Sequence, residues 1–267
     1  MDDNDFHKLL DFRGMCWSGY RRVRKGVKKR IRRHMRELGC GHVDDYIECL
    51  KADPKANEKS QTLMTVPISR FFRDRQLWTD LAARYVPELV SLYPEGIRVW
   101  SAGCAGGEEA YSFRMLWYRL EKELGPPPVL DILATDRNQE CIERARKGLF
   151  QLSSLREIRD DSRSIFFTEH RKGKLFQIST DLISSISFKQ QDLLQKPPDG
   201  VFQLIFLRNN LLTYHRSHSI RPVFNQIVNC LTPGGLLIIG AHEKLPPETK
   251  HLKPYGPMVL KKVINHE

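Results

Sequence analysis

The stretch Arg98-Val-Trp-Ser-Ala-Gly-Cys-Ala-Gly-Gly-Glu-Glu-Ala-Tyr-Ser112 decides the fold. An apolar strand runs into a turn carrying Gly103, Gly106 and Gly107, and the turn passes directly into a helix that opens on Glu108 and Glu109. Glycine lacks the Cβ that would obstruct a tight turn or hold a ligand away from the backbone, so this order of elements reads as a loop for a nucleotide-type cofactor. The spacing is neither that of the dinucleotide fingerprint nor that of the phosphate loop with its terminal Lys-Ser/Thr. A plain strand-to-helix turn would look the same in isolation, and the rest of the chain has to decide between them.

After a helix expected over residues 109–123 and a break at Gly125-Pro-Pro-Pro128, a second buried strand, 129–135, ends on Asp136. An acidic residue at the tip of the second strand of a nucleotide-binding sheet is placed to accept hydrogen bonds from ribose hydroxyls. Acidic residues at the loop's exit suit a cofactor that lacks phosphate and carries positive charge, and the sulfonium S-adenosylmethionine is the candidate. The first turn of any helix also favours Glu through its dipole. Each of the two glutamates therefore reads equally well as a cap.

At 267 residues and 40% hydrophobic content the chain is long enough for one large or two modest globular domains with a real core. There is no run of eighteen apolar residues, and the opening Met-Asp-Asn-rich segment is acidic where a secretory signal would be basic and then apolar, so a cytoplasmic protein is expected. The six cysteines, at 16, 40, 49, 104, 141 and 230, form no CxxC pair and no ligand spacing with histidine. They read as reduced thiols, with neither zinc nor a disulfide framework. His215, His218 and His242 likewise form no ligand set, and no metal is expected.

The net charge of +11 is concentrated in one place. Residues 21–36 hold ten Lys/Arg and no acid, while the remainder of the chain is close to neutral. Tyr20, Val23, Val27, Ile31, Met35 and Leu38 recur every three or four residues, which predicts a helix over 20–38 with one apolar stripe and a cationic opposite face. Arg24, Lys28 and Arg32 lie roughly along one line of that face. So many like charges destabilise a solvated helix. An acidic partner explains them better than a bare solvated surface, whether nucleic acid, anionic membrane or protein. Few aromatics are interleaved for base stacking and the stripe lacks bulky membrane anchors, so an acidic protein surface is preferred over nucleic acid or membrane insertion.

Residues 1 to about 52 read as short helices, and 51–61, with Asp53-Pro54, as a linker or a domain edge. From Gly96 onward strands alternate with helices, the mark of a parallel sheet covered on both faces. Strands are expected at 97–102, 129–135, 186–190, 201–207, 235–241 and 258–264, and helices at 74–92, 109–123, 137–147 and 217–231. A small hairpin between Phe166 and Phe188, turning at Lys172-Gly173, interrupts the alternation as an insertion.

Read in order, Ile68-Ser-Arg-Phe-Phe-Arg-Asp74, Trp100 to Ser112, Ala134-Thr-Asp136, Ala145-Arg-Lys-Gly148, Leu207-Arg-Asn-Asn-Leu-Leu-Thr-Tyr214, Pro233-Gly-Gly and Gly240-Ala-His-Glu243 resemble the CheR family over nearly the whole chain. These are chemotaxis methyltransferases that use S-adenosylmethionine, yielding S-adenosylhomocysteine, to esterify glutamates on the acidic cytoplasmic helices of chemoreceptors. The resemblance implies a basic helical N-terminal domain (1–60) and a Rossmann-like α/β methyltransferase domain (61–267) with a small β-subdomain inserted at about 165–190. It places cofactor contacts at Thr65, Ser69, Arg73, Gly103, Glu109, Asp136, Asp192, Leu193, Arg208 and Asn209, and gives Arg73 and Tyr214 catalytic roles. It further implies a monomer that meets receptor helices through 20–38. Three positions depart from the pattern: Pro67 and Ser69 stand where Asn and Thr are usual, and Asn210 follows Arg-Asn where Val is common. Ser69 keeps a hydroxyl, whereas Pro67 brings neither an amide side chain nor an N–H.

Methyl transfer to a carboxylate is an in-line displacement, and a glutamate acceptor with a pKa of roughly 4.3 is already an anion at neutral pH. No general base is needed. The site must supply orientation and a counter-charge, and the planar fork of Arg73 suits either the acceptor or the cofactor's own carboxylate; an ion pair with Asp74 is the plainer alternative. Other readings keep the fold but methylate another protein or a small carboxylate, or lose catalysis and leave a binding module. The joint presence of Arg73, Glu109, Asp136 and Tyr214 speaks against the last. Amino methylation of bases is disfavoured because Leu207-Arg-Asn-Asn replaces an Asn/Asp-Pro-Pro-aromatic motif.

Overall fold

The computed structural model describes residues 1–124, 128–158, 160–171, 173–247, 249 and 251–263. Gly125 to Pro127 of the expected break, Lys172 of the expected turn and Ile264 at the end of the expected last strand lie outside the described residues. The chain divides into two compact units. The first comprises Met1–Pro67, Asn209–Pro222 and Glu243–Pro247, and the second comprises Ile68–Arg208, Val223–His242 and Glu248–Glu267.

The first unit is helical. Helix Asp3–Phe12 begins with a reciprocal capping box in which Asp2 and Asp5 accept each other's backbone N–H. Its Phe6 and Leu9 pack with Tyr20, Val27, Ile31 and Tyr46 in a shared core. The basic helix runs over Arg24–Glu37, not 20–38. Trp17–Tyr20 forms a separate turn, and the break after it lets the Tyr20 ring sink into the core, where its hydroxyl donates to the Met64 carbonyl at 3.1 Å. The apolar stripe faces that core: Val27, Ile31 and Met35 are buried, and so is His34, its Nδ1 2.8 Å from the Tyr46 hydroxyl.

Two expectations for this unit need correction. The supposed linker is a helix, Pro54–Met64. Asp53 caps it by accepting from the Lys55 N–H at 2.8 Å, and Pro54 fills the first helical position, where a missing N–H is harmless, so the Asp-Pro pair starts a helix instead of marking a turn. The line Arg24, Lys28, Arg32 is not a free cationic face. Arg24 and Lys28 both meet Asp3, at 3.4 and 2.8 Å, and Arg32 donates to the Met1 carbonyl at 2.8 Å. Arg30 holds the carbonyls of Leu63 and Thr65. Among the described residues Arg21, Arg22, Lys25, Lys29 and Arg36 stand exposed without an acidic partner, as does Arg32 beyond its bond to the Met1 carbonyl.

The second unit is built on a seven-stranded sheet. In chain order its strands are β1 (Gly96–Ala102), β2 (Val129–Asp136), β6 (Ile186–Gln190), β7 (Phe202–Leu207), β8 (Leu231–Ile239), β9 (Leu252–Gly256) and β10 (Val259–Lys262), and their spatial order is β6-β2-β1-β7-β8-β10-β9. The first five neighbours in that order run parallel, while β10 pairs antiparallel with β8 and β9. Every residue of β7 is buried, as expected for a strand covered on both faces. This is the Rossmann-like methyltransferase architecture, α/β in class.

A separate three-stranded sheet holds β3 (Leu149–Gln151), β5 (Leu175–Ile178) and β4 (Phe167–His170). The hairpin of β4 and β5 lies where the sequence placed it, but β3 precedes the expected span and Ile186–Gln190 belongs to the large sheet. The expected helix 74–92 is divided by a π-turn, Leu81–Tyr85, between Arg75–Asp80 and Val86–Leu92. Strand β9 had no sequence signal: Lys253 and Pro254 interrupt any alternation, and it forms as an edge strand, where proline is tolerated.

Candidate active site

Strands β1 and β7 are neighbours, yet the chain leaves β1 to build β2 and β6 on one side and returns through β7 to build the other. Such a topological switch opens a crevice at the carboxyl ends of the strands. Four adjacent parallel strands deliver expected site residues to that edge. Strand β1 leads to Gly103 and Glu109, β2 ends on Asp136, β6 leads to Asp192 and Leu193, and β7 leads to Arg208.

The glycine loop is held from beneath, since the amides of Gly103 and Cys104 both donate to the Thr135 carbonyl at 2.8 Å. Gly103 and Gly107 have φ of +80° and +88°. A Cβ on Gly107 would lie 3.0 to 3.1 Å from Ala145, Phe188 and Tyr111, and one on Gly106 would strike the Arg144 guanidinium at 2.4 Å. These two glycines thus serve close packing on helix Gln139–Lys147 and its Arg144, a role the sequence reading had assigned to ligand approach.

Asp136 accepts from the Ala105 amide at 2.9 Å and from the Asn138 amide at 2.8 Å. Burial pushes its pKa above the ordinary carboxylate range against the pull of those amides. Each oxygen keeps a further lone pair, as acceptance from two ribose hydroxyls requires. Beyond it, Asp192 accepts from the Leu194 amide at 3.0 Å and meets Arg137 at 3.4 Å.

At the other end lies a buried charge network. Arg208, its side chain 2% exposed, donates to Glu109 at 3.1 Å, to Asp74 at 2.5 Å and to the Arg73 carbonyl at 3.2 Å. Glu109 also accepts from the Ser101 hydroxyl at 2.8 Å; burial raises its pKa and Arg208 opposes the shift. Trp78 holds the same Arg73 carbonyl at 2.9 Å. Asp74 is therefore committed to Arg208, and among the described residues the Arg73 guanidinium has no ion pair. It stands close enough to Glu109 to favour that carboxylate's ionised form. Ser69 and Arg144 do the same for Glu108, which is 3% exposed and whose pKa is pushed up by burial.

Thr65, Asn209 and Tyr214 belong to the first unit. Thr65 donates its hydroxyl to the Thr62 carbonyl at 2.7 Å. Asn209 has φ of +57°. The departing Asn210 caps the short helix Leu211–Tyr214 through the Leu211 amide. The Tyr214 ring packs 4.9 Å from that of Tyr20, and its carbonyl accepts from Cys16 at 2.8 Å.

Sequence reasoning passed over Ser101, Ser112 and Arg144, and it offered Asp74 only as a partner for Arg73, whereas Asp74 pairs with Arg208. Ser112, which accepts from the Phe72 amide at 2.9 Å, was visible only as the end of the quoted motif. Phe72, Asp74, Ala105 and Asn209 all have positive φ, four of the five described non-glycine residues that do. Backbone strain of this kind gathers at ligand sites.

The residues fit a cationic nucleoside. The buried Glu108 and the half-buried Glu109 and Asp136 line the edge, and Glu108 Oε2 is buried without a partner among the described residues, as is Arg208 Nε. The first can accept from an ammonium or face a sulfonium, and the second can donate to a carboxylate. Fold and site together define an S-adenosylmethionine-dependent methyltransferase. The sequence profile of the CheR methyltransferase, SAM binding domain matches residues 68–258, and the chain belongs to that family. It is 33% identical over 201 residues to a chemotaxis protein methyltransferase of Listeria monocytogenes, covering 75% of this chain and 74% of that one. It is 28% identical over 237 residues to a probable chemotaxis protein methyltransferase of Rhizobium etli, covering 85% and 86%.

Proposed function

We propose that the protein transfers the methyl group of S-adenosylmethionine to glutamate side chains on the acidic cytoplasmic helices of chemoreceptors. The observation that carries this reading is the Arg73 guanidinium, without an ion pair among the described residues while Asp74 and Glu109 are both taken up by Arg208. Together with the names of the relatives, it supports a site built for a carboxylate and a cofactor of S-adenosylmethionine's charge.

Bound there, S-adenosylmethionine supplies an electrophilic methyl on a sulfonium. Asp136 would accept from the ribose, Asp192 and Leu193 would border the adenine, and Glu108, Glu109, Ser69 and Arg208 would hold the amino-acid end; the family pattern also assigns cofactor contacts to Thr65 and Asn209. Arg73 aligns a carboxylate without needing to take up a proton, because the acceptor is already ionised. The family pattern assigns Tyr214 to the active site. Lys25, Lys29 and Arg36 on the basic helix attract acidic receptor helices. Among the described residues no helix is long and apolar enough to cross a membrane.

Labelled methyl transfer to receptor cytoplasmic fragments, followed by mild base, tests the proposal. Base-labile label on glutamates is expected. Base-stable label, or none with cofactor bound, would overturn it.

A further inference from the structure

Two cysteines face each other in the first unit, and the methyltransfer reading uses neither. The Cys40 thiol donates to the Cys49 sulfur at 3.3 Å. Cys40 is buried and Cys49 half-buried. The remaining thiols are placed differently: Cys16 and Cys230 donate to main-chain carbonyls, and Cys104 and Cys141 are buried.

The pair sits at the end of the basic helix. Cys40 follows that helix in the stretch Leu38-Gly-Cys-Gly-His42, and Cys49 lies on the next helix, Val43–Ala52. The basic helix closes on a Schellman cap, in which the Gly39 amide donates to the Arg36 carbonyl at 3.2 Å and the Cys40 amide to the Met35 carbonyl at 2.9 Å. Gly39 takes the left-handed conformation this cap requires, with φ of +70°. One residue therefore both finishes the helix and carries the inner thiol.

A disulfide needs its sulfurs about 2.05 Å apart, so these two must approach by about 1.3 Å. The backbone has room to give that much, because a Cβ on Gly39 or on Gly41 would meet nothing within 4 Å. Burial and the bond to Cys49 push the Cys40 thiol up to about 11. Cys40 thus stays protonated, and the more exposed Cys49 is the sulfur that meets an oxidant. An accessible sulfur beside a resolving thiol is the arrangement of redox-sensing cysteines.

We infer that Cys40 and Cys49 are a modification site for hydroperoxides, which close the pair to an intramolecular disulfide and staple the end of the basic helix to the helix after it. In the first step the Cys49 thiolate attacks one peroxide oxygen, the O–O bond breaks, and the leaving oxygen takes up a proton as water or an alcohol. Cys49 is then a sulfenic acid. In the second step the Cys40 sulfur attacks the Cys49 sulfur, the S–O bond breaks, and the hydroxyl departs with the Cys40 proton as water. The two thiols lose two electrons, and the peroxide gains them. Thiol reductants reopen the bond.

The full chain, reduced and then freed of reductant, is treated with hydrogen peroxide, and its thiols are counted by alkylation and mapped by peptide mass spectrometry. Of the six thiols two should be lost together, giving one Cys40–Cys49 cross-linked peptide that dithiothreitol reopens. Cys40→Ser should stop at a Cys49 sulfenic acid trapped by dimedone, and Cys49→Ser should leave Cys40 open to alkylation. Alanine replaces serine if either variant fails to fold. Hydrogen exchange should slow several-fold at the end of the basic helix in the oxidised parent and stay unchanged in treated Cys49→Ser. Oxidation of other thiols first, a bond from Cys40 or Cys49 to a different cysteine, or sulfinic acid at Cys49 without a cross-link overturns the site. Unchanged exchange in the cross-linked parent overturns the staple.

Discussion

The carboxyl edge of the large sheet and the basic helix of the first unit are both crowded with charge, and they use it in opposite ways. At the edge, Arg208 is withdrawn from water and pairs with both Glu109 and the half-buried Asp74, so one charge fixes the position of the other two. On the helix Arg24–Glu37, Lys25, Lys29 and Arg36 stay in water and fix nothing in their own fold. Buried charge specifies geometry, and losing one member strands the others. Exposed charge acts at a distance and fades with salt.

The largest effect follows from breaking the buried set. Arg208→Ala leaves Glu109 and Asp74 facing each other across the gap without their shared cation, and removing one partner of a buried pair destabilises by about 3–5 kcal/mol. Urea denaturation should show that drop, together with loss of cofactor binding. A stability within experimental error of the parent would mean that water replaces the guanidinium and that the edge is no more specific than the helix surface.

Arg73→Ala should leave the fold intact and reduce turnover by about 10²–10³-fold, the range seen when one preorganised donor is removed from a transition state. Circular dichroism and a methyl-transfer assay decide this; near-normal turnover in a folded variant would reassign Arg73 to the surface.

Asp136→Ala removes the acceptor for the ribose and also the anchor of the Ala105 and Asn138 amides. Calorimetry should show S-adenosylmethionine binding weakened by about 1–3 kcal/mol. Unchanged affinity would place the ribose elsewhere.

The edge should also respond to pH. Asp136, Glu108 and Glu109 have pKa values raised by burial. Without cofactor, their contribution to stability is fully present below the ordinary carboxylate pKa and lost as pH rises through the raised values. A bound cation and ribose hydroxyls favour the ionised forms. Cofactor binding should therefore release protons and weaken as pH falls through that window, and titration in buffers of different ionisation heat measures the release. Proton uptake would reverse the assignment.

What the sequence made legible follows the same division. Asp136 was readable because a parallel sheet delivers its chemistry at carboxyl ends, and the strands themselves read as continuous apolar runs, whereas Arg208 came only from the family resemblance. The partners that orient those residues were not readable. Asp74 meets Arg208, and Arg144 meets Gly106, across long stretches of chain, and no local pattern announces either contact. Charge on the basic helix was legible in amount but not in allocation, because Asp3, which takes up Arg24 and Lys28, lies on another helix.

That allocation shapes the smallest of the expected effects. Reversing Arg24 and Lys28 would set Glu against Asp3 and perturb the first unit itself, so their effect on substrate binding would be confounded with stability. Lys25, Lys29 and Arg36 fall on one exposed stripe, spaced four and seven residues apart, and meet no acid among the described residues. The triple variant Lys25→Glu, Lys29→Glu, Arg36→Glu should raise the Michaelis constant for receptor fragments several-fold and flatten its salt dependence, while stability and cofactor affinity stay near the parent's. The reason is range: the Debye length is about 10 Å at 0.1 M salt and 3 Å at 1 M, so steering by exposed cations is present at the first concentration and nearly gone at the second. Parent and variant should then converge at high salt. An unchanged Michaelis constant and salt slope at low salt would show that the stripe is merely solvated, and that receptor helices find the site by another surface.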